Sequence, residues 1–229
     1  MVGPYPRVGR ACGEYMGLGE SRGGRYGVRM EPFFAALLGF ALGSIPFGLI
    51  LTRAAGLGDV RKIGSGSIGA TNVLRTGNKG LAAATVLLDA LKAVIPVLVA
   101  KAFWPHPDGL TEGIAAVAAV AGHCFTPWLA FKGGKGFASA AGALAALAWP
   151  AMLACAAIWG LTLFLSRISS VSSLVSVVAA PLVAWGLGYG QVIPPLIAIA
   201  AIVIVQHRAN IGRLMRGEEP RVGSSSAKP

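Results

Sequence analysis

Six apolar runs, at residues 33–52, 81–100, 113–131, 137–165, 171–187 and 192–206, fill most of this chain and leave only short polar segments between them. In lipid, every backbone amide and carbonyl must find its partner within its own segment, so runs of this kind fold as helices. Charged residues make up 13% of the chain, about half the share usual for soluble domains. Together with a mean hydropathy of +0.67, this predicts an all-α integral membrane protein built as one compact bundle.

The fourth run is too long for a single crossing. Its 29 residues would reach about 43 Å, against a hydrocarbon core of about 30 Å. Trp149-Pro150 divides it, which predicts two short helices of about 14–15 residues with a turn between them, each tilted or in thinned bilayer. The count is then seven transmembrane helices, with the chain ends on opposite sides. One face receives segments 53–80, 132–135, 166–170 and 207–229, which carry thirteen basic residues, whereas 101–112 and 188–191 carry only Lys101. The positive-inside rule makes the first face cytoplasmic, placing the N-terminus outside and the C-terminus in the cytoplasm.

Residues 1–29 differ from the rest, with eight glycines, five arginines and no apolar run of helical length. They read as a disordered or mis-assigned extension, with translation starting at Met30. The bundle then occupies 30–222, and 223–229 read as a disordered tail. The net charge of +11 lies between apolar runs and not along a soluble aromatic face. It therefore points to anionic lipid heads and phosphorylated substrates, not to nucleic acid. Cys12, Cys124 and Cys155 show no metal spacing and predict no disulfide framework.

Four polar clusters fall on the basic face. The first runs from Gly64 to Arg75 and contains Ser65, Ser67, Thr71, Asn72 and Arg75. Its glycines permit tight turns, its amides can form an anion-binding nest, and arginine offers a planar fork to phosphate oxygens. The second is Phe131-Lys132-Gly133-Gly134-Lys135-Gly136, which combines point charges with glycine amides but is not a P-loop. The third is Ser169, Ser170, Ser172 and Ser173, and the fourth is His207-Arg208-Ala209-Asn210, where His207 and Asn210 share a helix face. His207 is suited to orienting or deprotonating a hydroxyl. Asp89 and Lys92 read as a neutralising pair within the second helix, and His123 as a packing residue. No HxxxxD, Asp-rich or GxSxG pattern occurs, so neither a metal nor an acyl-enzyme is implied. Two anion sites beside lipid suggest joining a phosphorylated polar molecule to an acyl chain; a transporter of phosphorylated anions is the alternative.

These motifs, with Gly43-Ser44-Ile45-Pro46-Phe47-Gly48, Gly122-His123 and His207 to Leu214, resemble the bacterial acyl-phosphate:glycerol-3-phosphate acyltransferase (PlsY) family across residues 33–222. The resemblance implies seven transmembrane helices and a site facing the cytoplasm from the bacterial inner membrane. It implies acyl transfer from acyl phosphate to the 1-hydroxyl of glycerol 3-phosphate, giving lysophosphatidic acid and phosphate, the first step of phospholipid synthesis, without cofactor or metal. A monomer working in membrane lipid is expected. By motif, phosphate binding carries over to Ser65, Ser67, Thr71, Asn72, Arg75, Gly133, Gly134, Lys135 and Ser173, with Ser170 as the alternative to Ser173. Catalysis carries over to His207, Asn210 and Lys135. The family usually has asparagine where this chain has Ser67, which is shorter and lacks the amide donor.

Overall fold

The computed structural model describes residues 30–222; residues 1–29, including Cys12, and 223–229 lie outside the described part. All regular structure within it is helical. The principal helices are α1 (Glu31–Gly43), α2 (Phe47–Ala54), α3 (Ala70–Val73), α4 (Lys79–Phe103), α5 (Leu110–Cys124), α6 (Phe137–Leu147), α7 (Trp149–Ser166), α8 (Ser169–Gly186), α9 (Ile193–Gln206) and α10 (Arg208–Met215).

Small residues line the helix contacts. The central cluster is mostly alanine and valine, including Ala93, Ala115, Ala119, Ala143 and Val203. Large side chains such as Phe33, Leu87, Phe164, Leu182 and Trp185 point outward. A water-soluble bundle would do the reverse; in lipid, an outward Leu or Phe costs nothing, and close backbone approach drives association. Gly43 of α1 illustrates that approach, since a Cβ there would fall 2.1 Å from the Ala119 carbonyl oxygen of α5. Gly142 of α6 meets Ala90 of α4 in the same way, at 2.2 Å.

Among the described residues, four helical stretches, Glu31–Ala54, Lys79–Phe103, Trp149–Ser166 and Ser169–Gly186, are long and apolar enough to cross a membrane. The pair Gly190–Gln206 and Arg208–Met215, bent by 60°, raises this to five. Helix α6 is apolar but has only 11 residues, about 16 Å of rise.

Three sequence expectations need correction. The first run does not form one uninterrupted helix: it breaks between Gly43 and Phe47, because Pro46 has no N–H to donate and disfavours the helical conformation at Ile45. The fourth run divides unequally, into 11 and 18 residues. Ala148 is the break, and Trp149 and Pro150 begin α7, where the missing proline N–H has no helical partner in any case. The third run ends its helix early, at Cys124. Residues 127–129 then form a short turn, and Ala130 and Phe131 take left-handed backbone angles.

Candidate active site

The loop between α2 and α3 is organised by Asn72, which is 2% exposed. Its amide nitrogen donates to the carbonyls of Val60 (2.7 Å), Ile63 (3.1 Å) and Ser67 (2.8 Å). Its oxygen accepts from the Ser65 N–H (3.1 Å) and from Arg75 Nη1 (3.3 Å). In this form of the loop Asn72, expected from sequence to bind phosphate, spends its side-chain amide on the loop itself. Gly64 makes the arrangement possible. It has φ +53°, and a Cβ there would fall 2.1 Å from Arg75 Nη1. The Ser67 hydroxyl accepts from the Gly69 N–H at 3.3 Å, so it too serves the loop. Ser65, Thr71 and Arg75 remain on the exposed side. Arg53 and Arg61 are committed elsewhere, bound to Asp59 at 3.1 and 2.6 Å. The Arg61 bond holds the Asp59 carboxyl well below the usual carboxylate range. Arg75 is therefore the arginine that this loop can present to an anion.

The second loop is internally bonded as well. The N–H groups of Gly133 and Gly134 are not free; they donate to the carbonyls of Cys124 (3.1 Å) and His123 (3.0 Å). Neither glycine can give its amide to phosphate while the loop keeps this form. What the loop presents instead is half-buried Lys135, immediately before the first turn of α6, whose amides lack helical acceptors. Burial lowers the Lys135 ammonium to about pKa 8; Glu219 opposes that shift, while Arg213 and Arg75 add to it. These four charges therefore occupy one neighbourhood.

The third group forms where the chain folds back after α10. Glu219 Oε1 accepts from the Ser170 hydroxyl (2.7 Å) and from the Asn210 amide (2.5 Å), and its Oε2 accepts from Arg213 Nε (2.7 Å). Burial pushes the Glu219 carboxyl up, and those three bonds outweigh it and hold the group below its ordinary range. Ser173, the first choice from sequence, instead returns its hydroxyl to the Ser169 carbonyl at 3.0 Å, so Ser170 is the serine that joins the polar network. Buried His207 sits at the bend between α9 and α10, with Nδ1 2.8 Å from the Val203 carbonyl. A carbonyl can only accept, so Nδ1 carries the proton and Nε2 keeps its lone pair.

Sequence reasoning missed Glu219 and Arg213. The i, i+3 spacing of Asn210 and Arg213 on one short helix was an available signal. Nothing in the sequence indicated that the segment beyond α10 turns back onto it.

A family model described as glycerol-3-phosphate acyltransferase matches residues 33–217. A protein from Erythrobacter litoralis named glycerol-3-phosphate acyltransferase is 56% identical over 195 residues, covering 85% of this chain and 97% of its own. One of the same name from Mesorhizobium japonicum is 53% identical over 190 residues, covering 83% and 95%. Among solved structures, the glycerol 3-phosphate form of PlsY, an integral membrane glycerol 3-phosphate acyltransferase, superposes with a TM-score of 0.79 at 35% identity. It covers 84% of this chain and 96% of that one. Its lysophosphatidic acid form gives 0.77 at 34%, covering 84% and 95%. By the family model and by relatives that share more than half their residues with it, this chain belongs to the glycerol-3-phosphate acyltransferase family.

Proposed function

We propose that this protein transfers a fatty acyl group from acyl phosphate to the 1-hydroxyl of glycerol 3-phosphate. The products are lysophosphatidic acid and inorganic phosphate. The observation that carries this reading is the gathering of Lys135, Arg75, Arg213 and Glu219 in one neighbourhood, with Lys135 and Glu219 also acting on His207. Such a site suits two phosphorylated substrates. The glycerol 3-phosphate and lysophosphatidic acid forms of the PlsY structures agree with it as acceptor and product.

Acyl phosphate is already activated, so the protein needs no covalent intermediate; its tasks are alignment and charge management. Arg75, Lys135 and the Ser65 hydroxyl hold the donor phosphate. They stabilise the charge that grows on it as the carbonyl carbon–oxygen bond to phosphate breaks. The acceptor's 1-hydroxyl attacks that carbon, and its proton passes to His207 Nε2, the imidazole atom left unprotonated by the Nδ1 bond to Val203. Asn210 and Ser170, gathered by Glu219, place the acceptor. Asn72, Ser67, Gly133 and Gly134 shape the loops, and Thr71 lines the first. No metal or cofactor enters the scheme. The protein works as a monomer with seven spans in the bacterial inner membrane, N-terminus outside and site facing the cytoplasm. The thirteen-to-one distribution of basic residues supports that orientation.

Purified protein supplied with glycerol 3-phosphate and either acyl phosphate or acyl-CoA tests the reading. Lysophosphatidic acid from acyl phosphate alone is expected. Uptake of glycerol 3-phosphate into vesicles without product would favour the transporter alternative, which the relatives' shared name does not support.

A further inference from the structure

Three titratable side chains, Asp89, Lys92 and His123, are buried in the bundle with at most 3% of their surface exposed. Lys92 Nζ lies 2.7 Å from Asp89 Oδ1. It also donates to the Ile45 carbonyl at 2.8 Å and sits 5.8 Å from the Phe47 ring centroid. His123 Nδ1 is 3.6 Å from the same Asp89 oxygen. A buried ion pair is poor at stabilising a fold, and apolar residues of the same shape often do as well or better. Ionisable groups inside a membrane bundle therefore call for another role.

What the group touches gives that role. Lys135 lies between two anchors, and both end at Asp89. On one side, Gly134 donates to the His123 carbonyl and lies against the His123 ring, where a Cβ would fall 2.0 Å from Nε2. On the other side, the Ser139 hydroxyl donates to the Asp89 carbonyl at 2.9 Å. Lys92 extends the brace to the α1–α2 break through Ile45. The Ser44 hydroxyl at that break also accepts from Trp128 Nε1 at 3.0 Å. Beyond the break, a Cβ at Gly48 of α2 would fall 1.9 Å from the Ile68 carbonyl oxygen of the first anion loop.

We propose that Lys92, Asp89 and His123 form an internal brace that positions Lys135 and fixes its distance from the loop bearing Ser65 and Arg75. They are positioning residues, with no contact to substrate. This rests on the donor-phosphate role proposed above for Lys135. A brace of this kind acts on the rate because a displacement of about 1 Å in a charge-stabilising group can cost about 100-fold.

The test compares the full-length parent with His123→Gln, His123→Ala, the double variant Asp89→Leu/Lys92→Met, and Lys135→Arg. It measures kcat and KM with glycerol 3-phosphate and a long-chain acyl phosphate across the range about pH 6 to about pH 10, and thermal unfolding in detergent. In the parent, kcat/KM should fall above about pH 8 as Lys135 loses its proton. His123→Ala and the double variant are expected to stay folded and to lose about 10- to 100-fold in kcat/KM. Their alkaline limb should move upward as Lys135 relaxes into water. His123→Gln, polar and of similar reach, should show an intermediate loss. Parent-like kcat/KM with an unmoved limb in folded variants overturns the brace. If His123→Ala and the double variant unfold, parent-like kinetics in His123→Gln overturn it equally. A parent without the limb, or a limb that Lys135→Arg leaves in place, overturns instead the donor-phosphate role itself.

Discussion

Lys135 owes its properties to incomplete burial among like charges. Burial and the nearby guanidinium groups of Arg75 and Arg213 lower its affinity for a proton, and Glu219 restores part of it. In the proposed role the charged form holds the donor phosphate, and it predominates below about pH 8, so kcat/KM for the free enzyme should fall as pH rises through that value. Steady-state rates across the alkaline range check this. Lys135→Ala should lose about 100- to 1000-fold in kcat/KM, the usual loss for one pre-organised charge-stabilising donor, with the unfolding midpoint in detergent little changed; a folded, fully active variant would refute its role. Gly134 makes a different kind of contribution. With its amide already bonded to His123, its importance is steric. Gly134→Ala must displace either the loop or a buried imidazole, and should lower both the unfolding midpoint and the activity.

At the scale of elements, the first anion loop is a case of one side chain standing in for regular structure. Asn72 supplies five hydrogen bonds to a segment with little helix of its own. Asn72→Ala strands three carbonyls and should cost about 2–3 kcal/mol, read as a drop of several degrees in unfolding midpoint together with weaker donor binding. Ser67 closes a local turn through its hydroxyl and the Gly69 N–H. Asparagine can accept the same bond through its side-chain oxygen, so Ser67→Asn is expected to keep or raise activity; a large loss in the same assay would show that the hydroxyl itself is required. The helix breaks also act as elements. At the Pro46 break the Ile45 carbonyl accepts from Lys92 as well as from the Phe47 N–H, and the 60° bend at His207 turns α10 across the end of α9. The break at Pro46 went unread in the sequence although a proline marks it; the bend at His207 carries no such mark, because no proline or glycine lies there.

At the scale of the whole molecule, the groups proposed for the reaction lie at helix ends or in the loops that join them, with Lys135, Arg75, Arg213, Glu219 and His207 close enough to act on one another. The opposite end of the bundle gathers Glu31, Trp104, His106 and Thr111. With the site facing the cytoplasm, single cysteines placed at Asn78 and at Asp108 should be labelled from opposite sides of sealed vesicles by a membrane-impermeant thiol reagent. Asn78 should react only when the cytoplasmic face is outward. Labelling of both from one side would refute the proposed topology. Cys12 is replaced by serine in both variants, and the native Cys124 and Cys155 are buried free thiols and should stay silent. The sequence by itself determined the apolar helices and the glycine-rich loops, and it put forward Ser65, Arg75, Lys135, His207 and Asn210 as the residues of the proposed site. These follow from hydrophobic run length, charge and motif spacing, which are properties of neighbours along the chain. Only the tertiary structure decided that Asn72 and the two glycines spend their polar groups on the loops, that Ser170 replaces Ser173 in the network, and that Glu219 returns to Asn210 and Arg213. The physical reason is that a side chain has few donor and acceptor positions, and which partners claim them depends on contacts between segments distant in sequence.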